Sequence, residues 1–236
     1  MRINRALALT GHCSRRKADQ LIEEGRVCVN GATVKDFSLS VDLDLDVILV
    51  DGRPLTSRAL QYMILHKPKD VITTCDDPGG RRAILDILPG HLKHLKPVGR
   101  LDRNSEGLLI LTNDGDLAQK LAHPSTHIWK TYKVTVKGNV RDRDLETLVE
   151  GVDLSGGRTL PARLKLIARE DEKTIFEISI REGKNRQIRR MCAQLGYPVN
   201  RLVRVAIGRL QLKPLAPGEW RLLSREEIEK LCGVRR

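Results

Sequence analysis

Residues 99–124 read GRLDRNSEGLLILTNDGDLAQKLAHP, and three local patterns follow one another in this stretch. A polar loop places Asp102 between two arginines. The apolar run at residues 108–111 then predicts a buried strand, because a glycine and an asparagine bound it. A helix comes next, with Asp114 or Asp116 as its N-cap. Loops that a rigid strand holds in place commonly present reactive groups, so the stretch predicts a carboxylate at a functional site.

The two arginines beside Asp102 give its carboxylate a chemical context. Nearby cations keep a carboxyl group ionised, and an ionised carboxylate can act as a nucleophile. The local pattern alone favours an ordinary solvated ion pair, because aspartate beside arginine in a loop is common. More distant residues therefore have to decide whether Asp102 is catalytic.

Strands and helices are mixed along the rest of the chain. Ser224 and Glu227 have the spacing of a capping box, which predicts the start of a last helix. Strands and helices do not alternate regularly as in a doubly wound sheet, so the pattern predicts the α+β class. The other predicted elements are strands at residues 63–65, 132–136, 174–180 and 203–212 and a helix at residues 188–195.

The N-terminal residues form a compact pattern of their own. Two short helices are predicted, the first ending at Thr10 and the second capped by Ser14. A strand then leads into Asn30 and Gly31, a dipeptide typical of tight hairpins. Residues 42–46 alternate aspartate with apolar side chains, which predicts a further strand.

A short hinge at residues 58–62 is predicted to divide the chain into two domains. The first domain covers residues 1–60 and the second residues 61–236. The second domain alone is long enough to form its own hydrophobic core. No repeat or low-complexity tract separates the two, so the linker is expected to be short.

The charge of the chain points to a polyanionic partner. Forty-two lysines and arginines against 30 aspartates and glutamates leave a formal net charge of +12. A basic surface gains free energy when it binds phosphates and releases their counterions. The excess is concentrated near the C-terminus, where residues 181–221 contain ten basic and two acidic residues. A glycine turn there leads into an arginine-rich helix, which suits phosphate binding.

Cysteines and histidines argue against a metal site and against disulfides. Five cysteines are scattered along the chain, and none forms a Cys-x-x-Cys pair. His91 with His94 and His123 with His127 are isolated pairs, which offer too few ligands for a metal ion. No apolar run approaches the roughly 20 residues that a bilayer requires, and the N-terminus lacks a signal-peptide pattern. The chain is therefore expected to be cytoplasmic, with no membrane partner.

Four segments, in this order, resemble the motif series of the RsuA/RluB family of ribosomal RNA pseudouridine synthases. They are residues 67–68 (Lys-Pro), 99–102 (Gly-Arg-Leu-Asp), 130–132 (Lys-Thr-Tyr) and 182–191 (Glu-Gly-Lys-Asn-Arg-Gln-Ile-Arg-Arg-Met). The N-terminal piece resembles the small αL-type RNA-binding domain shared with a ribosomal protein of the small subunit. The resemblance implies this domain followed by a catalytic domain with a mixed, mostly antiparallel sheet and flanking helices. The family usually has threonine where this chain has Ser105, which keeps the hydroxyl.

The resemblance also implies roles for three residues. Asp102 is the nucleophile, and attack at the anomeric carbon or at carbon 6 of the uracil is equally compatible with it. Arg189 forms an ion pair with Asp102 and keeps it charged. Tyr132 stacks on the target base and is a candidate to take the proton from carbon 5. The residues expected to contact RNA are Arg5, Arg15, Arg16, Lys17, Arg26, Lys67, Arg100, Lys184, Arg186 and Arg190.

The implied reaction is an isomerisation of uridine, for which no cofactor is expected. No Rossmann or P-loop glycine signature is present. The expected partner is ribosomal RNA or a precursor ribosomal particle, and the enzyme is expected to be a monomer. Similarity favours 23S over 16S ribosomal RNA as the substrate.

Two other functions are weighed against this one. A non-catalytic RNA-binding or ribosome-assembly protein would have no need of Asp102, Tyr132 and Arg189 together. A carboxylate-dependent RNA hydrolase would usually need a second acid or metal-binding carboxylates near Asp102, and the sequence offers no such cluster.

Overall fold

The computed structural model describes residues 1–56 and 59–232. Arg58, at the start of the predicted hinge, and residues 233–236, at the end of the second predicted domain, lie outside the described residues. The chain divides into two compact units. Unit 1 is Met1–Gln61 with Asn113–Gly115, and unit 2 is Tyr62–Thr112 with Asp116–Arg236.

Unit 1 packs two short helices against a small antiparallel sheet. Its core contains Ile3 and Leu7 from the first helix and Leu21 and Ile22 from the second. Leu9, at the end of the first helix, is only half-buried. The elements are α1 (Ile3–Leu9), α2 (Arg15–Glu23), β1 (Val27–Val29), β2 (Ala32–Thr33), β3 (Ile48–Val50) and β4 (Arg53–Pro54), with the strand order β2-β1-β3-β4.

Local signals set the boundaries in unit 1 as the sequence predicts. The Ser14 side chain accepts a hydrogen bond from the Lys17 amide and caps α2. Asn30 and Gly31 have φ values of 50° and 83°, so both central residues of the β1–β2 turn are left-handed. This is the turn geometry that lets a two-residue hairpin match the twist of its strands.

The predicted strand at residues 42–46 is wrong. Aspartate side chains there bond to nearby main-chain amides: Asp44 N donates to Asp42 Oδ1 at 2.9 Å and Asp42 N donates to Asp46 Oδ2 at 2.7 Å. Asp46 N also donates to the Asp42 carbonyl at 2.8 Å. These bonds close a turn, because short acidic side chains compete with the sheet for the backbone. The strand begins only at β3.

Unit 2 is built on a large mixed sheet with helices on both faces. The strand order is β11-β12-β8-β13-β7-β5-β15, with β14 paired to β13 and β6 paired to β7. The helices are α3 (Gly115–Ala122), α4 (Asp142–Glu150), α5 (Gln187–Gln194) and α6 (Arg225–Cys232). The strands are β5 (Tyr62–Lys67), β6 (Lys96–Pro97), β7 (Glu106–Thr112), β8 (Lys130–Lys137), β9 (Asp153–Leu154), β10 (Gly157–Arg158), β11 (Arg163–Glu170), β12 (Lys173–Ile180), β13 (Val199–Ile207), β14 (Leu210–Gln211) and β15 (Trp220–Leu222).

Each face of this sheet has its own core. On one face, β8 and β12 pack against α4 and α5, with Phe176 and Met191 fully buried between them. On the other face, β5, β7 and β13 pack against α3 and α6, with Leu117 and Leu231 in that cluster. Within the sheet β13 and β7 pair in parallel, whereas the other paired strands are antiparallel. The predicted α+β class, with a mostly antiparallel sheet and flanking helices, is confirmed.

Strand β7 is buried along its whole length, as its apolar sequence predicts. Gly107 was expected to precede the strand but lies inside it, because β7 already begins at Glu106. A Cβ atom at Gly107 would lie 2.3 Å from the carbonyl oxygen of Arg204 on β13. The absence of a side chain therefore allows the parallel pairing of β7 with β13.

Other predicted boundaries are displaced. The strand predicted at residues 203–212 is instead β13 and β14, separated by a turn at Gly208, whose φ is 56°. Asp116 lies within the first turn of α3, so it is not the N-cap. Helix α4 and strand β11 were not predicted; β11 is an edge strand with charged residues on it, which hides its periodicity.

None of the described helices combines the length and the apolar character that a membrane span requires.

Replacing Gly107 by alanine is expected to destabilise unit 2 strongly. The added methyl group would collide with the β13 main chain, and φ at this position is 107°. We expect a loss of about 2 kcal/mol or more in the free energy of unfolding, measured by urea denaturation. Gly138→Ala is the control, because φ there is 87° but no atom lies within 4 Å of the place that its methyl group would take. Equal losses in the two variants would contradict the close-approach argument.

Candidate active site

A cavity of about 330 Å³ in unit 2 is lined by Asp102 and Tyr132. The two residues are 30 positions apart in the chain and come from different elements, the loop before β7 and strand β8. The structure therefore brings together two of the three residues predicted to be catalytic. The other residues that line the cavity include Arg100, Ser105, Ile180, Lys184, Arg186 and Leu202.

The loop that carries Asp102 is anchored by the segment after β5. The buried hydroxyl of Thr73 donates to the carbonyl of Leu101 at 2.8 Å and accepts from the amide of the same residue at 3.2 Å. The amide of Asp70 donates to the carbonyl of Arg103 at 2.9 Å. The residues on either side of Asp102 are thus held by hydrogen bonds, which fixes the main chain of the loop at this position.

Lys67 is the third anchor of this loop. Its side chain is fully buried, and its ammonium donates to the carbonyls of Pro68 and Ser105, each at 2.8 Å, and of Arg103 at 3.4 Å. Burial lowers the pKa of Lys67 to about 8. The prediction that Lys67 contacts RNA is wrong, because its ammonium is enclosed and directed at the loop main chain.

Arg189 also holds this loop, in a way that the sequence did not predict. Its Nη2 donates to the carbonyl of Asn104 at 2.6 Å, and its Nη1 donates to the carbonyl of Val199 at 3.0 Å. The direct ion pair with Asp102 is not formed, and the two terminal nitrogens of the guanidinium instead donate to main-chain oxygens. Burial and the nearby Arg186 lower the pKa of Arg189, while the charge of Asp102 acts in the opposite direction.

Tyr132 is positioned by the sheet. It lies directly opposite Ile178 on β12 and Arg204 on β13, and it is half-buried. Ile180 and Leu202 line the same cavity and give it an apolar wall. A planar base between a tyrosine ring and aliphatic side chains would be held by stacking and apolar contact.

The glycine turn before α5 forms another side of the cavity. The buried Gln187 side chain donates to Glu182 Oε1 at 2.6 Å and accepts from the amide of Lys184 at 3.2 Å, which closes the turn. Arg186 precedes α5 with a left-handed φ of 48°, and its side chain is exposed. The ammonium of Lys184 donates to main-chain carbonyls in the β9–β10 hairpin, so it is not freely directed at solvent.

The remaining residues predicted to contact RNA differ in how free their charges are. Arg100 is exposed and lines the cavity. Arg190 is half-buried and donates to the main chain and the hydroxyl of Ser155. In unit 1, Arg15 and Arg16 are exposed on α2.

Three other cations of unit 1 are engaged or partly covered. Lys17 donates to Gln20 at 2.9 Å, and Arg5 is half-buried on α1. Arg26 forms two hydrogen bonds of 2.7 Å with Asp51 and one of 2.8 Å with Glu24. The prediction that Arg26 contacts phosphate is therefore not supported by its environment, because two carboxylates neutralise its charge.

Ser105 was not predicted to belong to the site. Its hydroxyl is buried, lines the cavity and has no hydrogen-bond partner among the described residues. A buried hydroxyl without a partner is unfavourable, so a bound substrate that satisfied it would gain affinity. The family that the chain resembles usually has threonine at this position. The shared hydroxyl was the sequence signal that could have placed Ser105 in the site.

Within residues 1–56 and 59–232, no group of three or more histidine, cysteine, aspartate or glutamate side chains is placed to hold a metal ion.

The geometry agrees with what comparison with known proteins shows. The family model described as RNA pseudouridylate synthase matches residues 61–194, and the S4 domain model matches residues 1–47. The chain belongs to the RNA pseudouridylate synthase family. It is an enzyme with an RNA-binding S4 domain, and the reaction class implied by its motifs, isomerisation of uridine to pseudouridine, is confirmed.

Similar proteins match over nearly the full length of the chain. A protein of Aquifex aeolicus, named as an uncharacterized RNA pseudouridine synthase, is 39% identical over 98% of this chain and 93% of its own length. Ribosomal large subunit pseudouridine synthase B of Bacillus subtilis is 39% identical over 98% of this chain and 95% of its own length. A crystal structure of a pseudouridylate synthase superposes with a TM-score of 0.69 and 33% identity. The alignment covers 98% of this chain and 99% of the chain in that crystal structure.

Lys67→Met is expected to loosen the Asp102 loop. It leaves the buried carbonyl of Ser105 without its donor, and we expect a loss of about 1–3 kcal/mol in unfolding free energy at pH 7. Because the pKa of Lys67 is about 8 in the folded protein and near 10.5 when unfolded, the unfolded chain binds more protons between those values. Wild-type stability relative to Lys67→Met should therefore rise from pH 8 to pH 10.5, as measured by urea denaturation.

Lys69→Met removes an exposed ammonium two residues away and serves as the control. A similar loss in that variant, or a stability difference between wild type and Lys67→Met that falls as pH rises, would contradict the anchoring role.

Proposed function

We propose that the enzyme isomerises uridine in ribosomal RNA, with Asp102 as the nucleophile. The observation that carries the proposal is the cavity that Asp102 and Tyr132 both line, with Asp102 on a loop held at Leu101, Arg103 and Ser105. A nucleophile must be held in a defined direction, because small misplacements reduce the rate greatly. The anchors supply that direction.

The reaction breaks the glycosidic bond, rotates the uracil and joins its carbon 5 to the ribose. Attack of the Asp102 carboxylate on the anomeric carbon would release the uracil, whereas attack on carbon 6 would make an adduct with the ring. In both routes carbon 5 bonds to the anomeric carbon and the bond to Asp102 breaks, which frees the carboxylate. Carbon 5 loses its proton, and N1, released from the ribose, gains one. Tyr132 lines the cavity beside Asp102, which suits stacking on the uracil and acceptance of that proton.

Arg189 takes part in this proposal as a positioning residue. It bonds to the carbonyl of Asn104, two residues from Asp102 in the same loop. Burial and the nearby Arg186 lower the pKa of Arg189, and the charge of Asp102 partly opposes them, so the two side chains interact at a distance. Arg189 would therefore hold the loop through the main chain, without a direct ion pair to Asp102.

The substrate must place its uridine in the cavity out of the base stack. Extruding a base costs a few kcal/mol, and contacts to phosphates offset this cost. Arg100 and Arg186 are exposed at the cavity, and Arg15 and Arg16 are exposed on the S4 domain. Aromatic residues are only 3% of the chain, so recognition would depend on the RNA backbone and shape.

Large-subunit ribosomal RNA is the proposed substrate, and the similar Bacillus subtilis enzyme supports it, since its name specifies the large subunit. We further propose that the enzyme acts as a monomer in the cytoplasm. Cys13, Cys28, Cys75 and Cys192 are free, as expected of thiols in a reducing compartment.

Asp102→Asn is expected to abolish isomerisation. The amide keeps the shape of the side chain but is not a nucleophile, so activity should fall by about 1,000-fold or more. Pseudouridines in ribosomal RNA would be mapped in cells that contain wild type, Asp102→Asn or no enzyme. Asp171→Asn, at an exposed position in the β11–β12 turn, is the matched control.

A site that is modified in the wild type and the control but not in the other two cells identifies the substrate. Retained activity of Asp102→Asn would remove this residue from the nucleophile role. A modified site in 16S instead of 23S ribosomal RNA would overturn the large-subunit proposal, and unchanged pseudouridine in all cells would favour a non-catalytic RNA-binding protein.

Arg15→Gln combined with Arg16→Gln is expected to weaken RNA binding by the S4 domain. Each phosphate contact contributes about 0.7–0.9 to the slope of log affinity against log salt concentration. We expect the slope to flatten by up to two such contributions, with the isomerisation rate at saturating RNA unchanged. A slope identical to that of the wild type would show that this helix does not contact phosphates.

A further inference from the structure

A second cavity of about 270 Å³ lies beside Tyr132, and besides the exposed Arg100 it has two cations in its lining that lack a counter-ion. Lys130 and Arg204 both line it, and both are withdrawn from solvent. Arg204 is only 3% exposed, and Lys130 is half-buried. No carboxylate is among the residues that line this cavity, all of which the structure describes.

The sheet places these two cations on the same side as Tyr132. Arg204 lies directly opposite Tyr132 in the β8–β13 pairing, and Lys130 precedes Tyr132 by two residues on β8. Residues two apart in a strand share a face, and so do directly paired residues. The register therefore groups one tyrosine and two cations as a unit.

The hydrogen bonds of Arg204 satisfy only part of its guanidinium. Its Nε donates to the carbonyl of Leu108 at 2.7 Å, which fixes the side chain against β7. Its Nη2 is buried and has no hydrogen-bond partner among the described residues. A donor in this state loses its water without a replacement, which costs free energy unless a ligand supplies an acceptor.

Lys130 is equally uncompensated. Burial lowers its pKa, and the charge of Arg204 lowers it further, so the two cations repel each other. The ammonium has no hydrogen bond to another described residue. The carboxylate of Glu106, on the neighbouring strand β7, is already taken by Arg201, with hydrogen bonds of 3.0 and 3.1 Å.

The positive charge of the cavity favours an anionic ligand. A neutral base would offer carbonyl acceptors but would leave two buried positive charges unbalanced, whereas an anion compensates them. This cavity and the Asp102 cavity share Arg100, Tyr132 and Gly183 as lining residues. An RNA strand carries one phosphate per nucleotide, so a nucleotide with its base beside Tyr132 brings an anion to this place.

We propose that Lys130 and Arg204 form a subsite for a backbone phosphate next to the target uridine. The proposal rests on the proposed function, because it assumes that the uridine occupies the Asp102 cavity. The phosphate would accept hydrogen bonds from both cations. These bonds would form when an extruded nucleotide occupies the cavity beside Tyr132.

The first test uses inorganic phosphate as the probe and full-length protein. Titration followed by phosphorus NMR, at constant ionic strength, should show saturable binding. Lys130→Met should weaken it about tenfold or more, as expected for loss of a charge-assisted hydrogen bond. Lys133→Met is the matched control, because Lys133 lies on the same strand but is exposed and points to the other face.

The second test uses ribosomal RNA. Lys130→Met should raise the KM and flatten the slope of log affinity against log salt by about 0.7–0.9, the contribution of one phosphate. Lys130→Arg, which keeps the charge, should restore the slope, and Lys133→Met should leave it unchanged. Thermal unfolding of each variant would show that the fold is retained.

Equal phosphate affinity in wild type, Lys130→Met and Lys133→Met would overturn the subsite, as would the absence of saturable binding. Phosphate binding that depends on Lys130, combined with an unchanged RNA slope, would overturn its assignment to the RNA backbone. The phosphate titration and the salt slope of RNA affinity do not depend on turnover at Asp102, whereas the KM does. Failure of the nucleophile assignment would therefore leave the phosphate titration unaffected, and the two proposals can fail separately.

Discussion

The site depends on the hydrogen bonds between the buried ammonium of Lys67 and the loop that carries Asp102. A buried cation is costly, and here carbonyl oxygens compensate it instead of a carboxylate. Lys67 ends β5, and the loop enters β7, the neighbouring strand in the sheet. The position of Asp102 is therefore tied to the strand pairing of the core. Motion of the loop would leave N–H donors of the buried Lys67 ammonium without acceptors.

Positive charge surrounds Asp102 without forming a single dominant ion pair. The charge of Asp102 affects the pKa of both Lys67 and Arg189. Lys130 and Arg204 lie on the same face of the sheet as Tyr132. This arrangement spreads the positive charge over several side chains. It also leaves the terminal nitrogens of Arg189 free to hold the main chain, which a direct ion pair would prevent.

The environments of Lys67 and Arg26 differ from the sequence-based expectation for a common physical reason. From the sequence alone, Lys67 and Arg26 are expected to be available to RNA, because most lysines and arginines are exposed. Lys67 is enclosed by its strand and loop, and Arg26 meets Asp51, which is 25 residues away. Arg189 was predicted to form an ion pair with Asp102, and the sequence could not show that it bonds instead to the carbonyl of Asn104. These outcomes depend on contacts between distant segments.

The sequence by itself determined the α+β class, the buried β7, the Asn30–Gly31 turn and the Ser224 capping box, because each follows from periodicity or from a local hydrogen bond. It also indicated that Asp102 and Tyr132 act together, through a family resemblance. Only the tertiary structure decided that Gly107 permits the pairing with β13 and that Arg204 lies buried opposite Tyr132. Strand register and close packing set these features, and neither is encoded within a single segment of the chain.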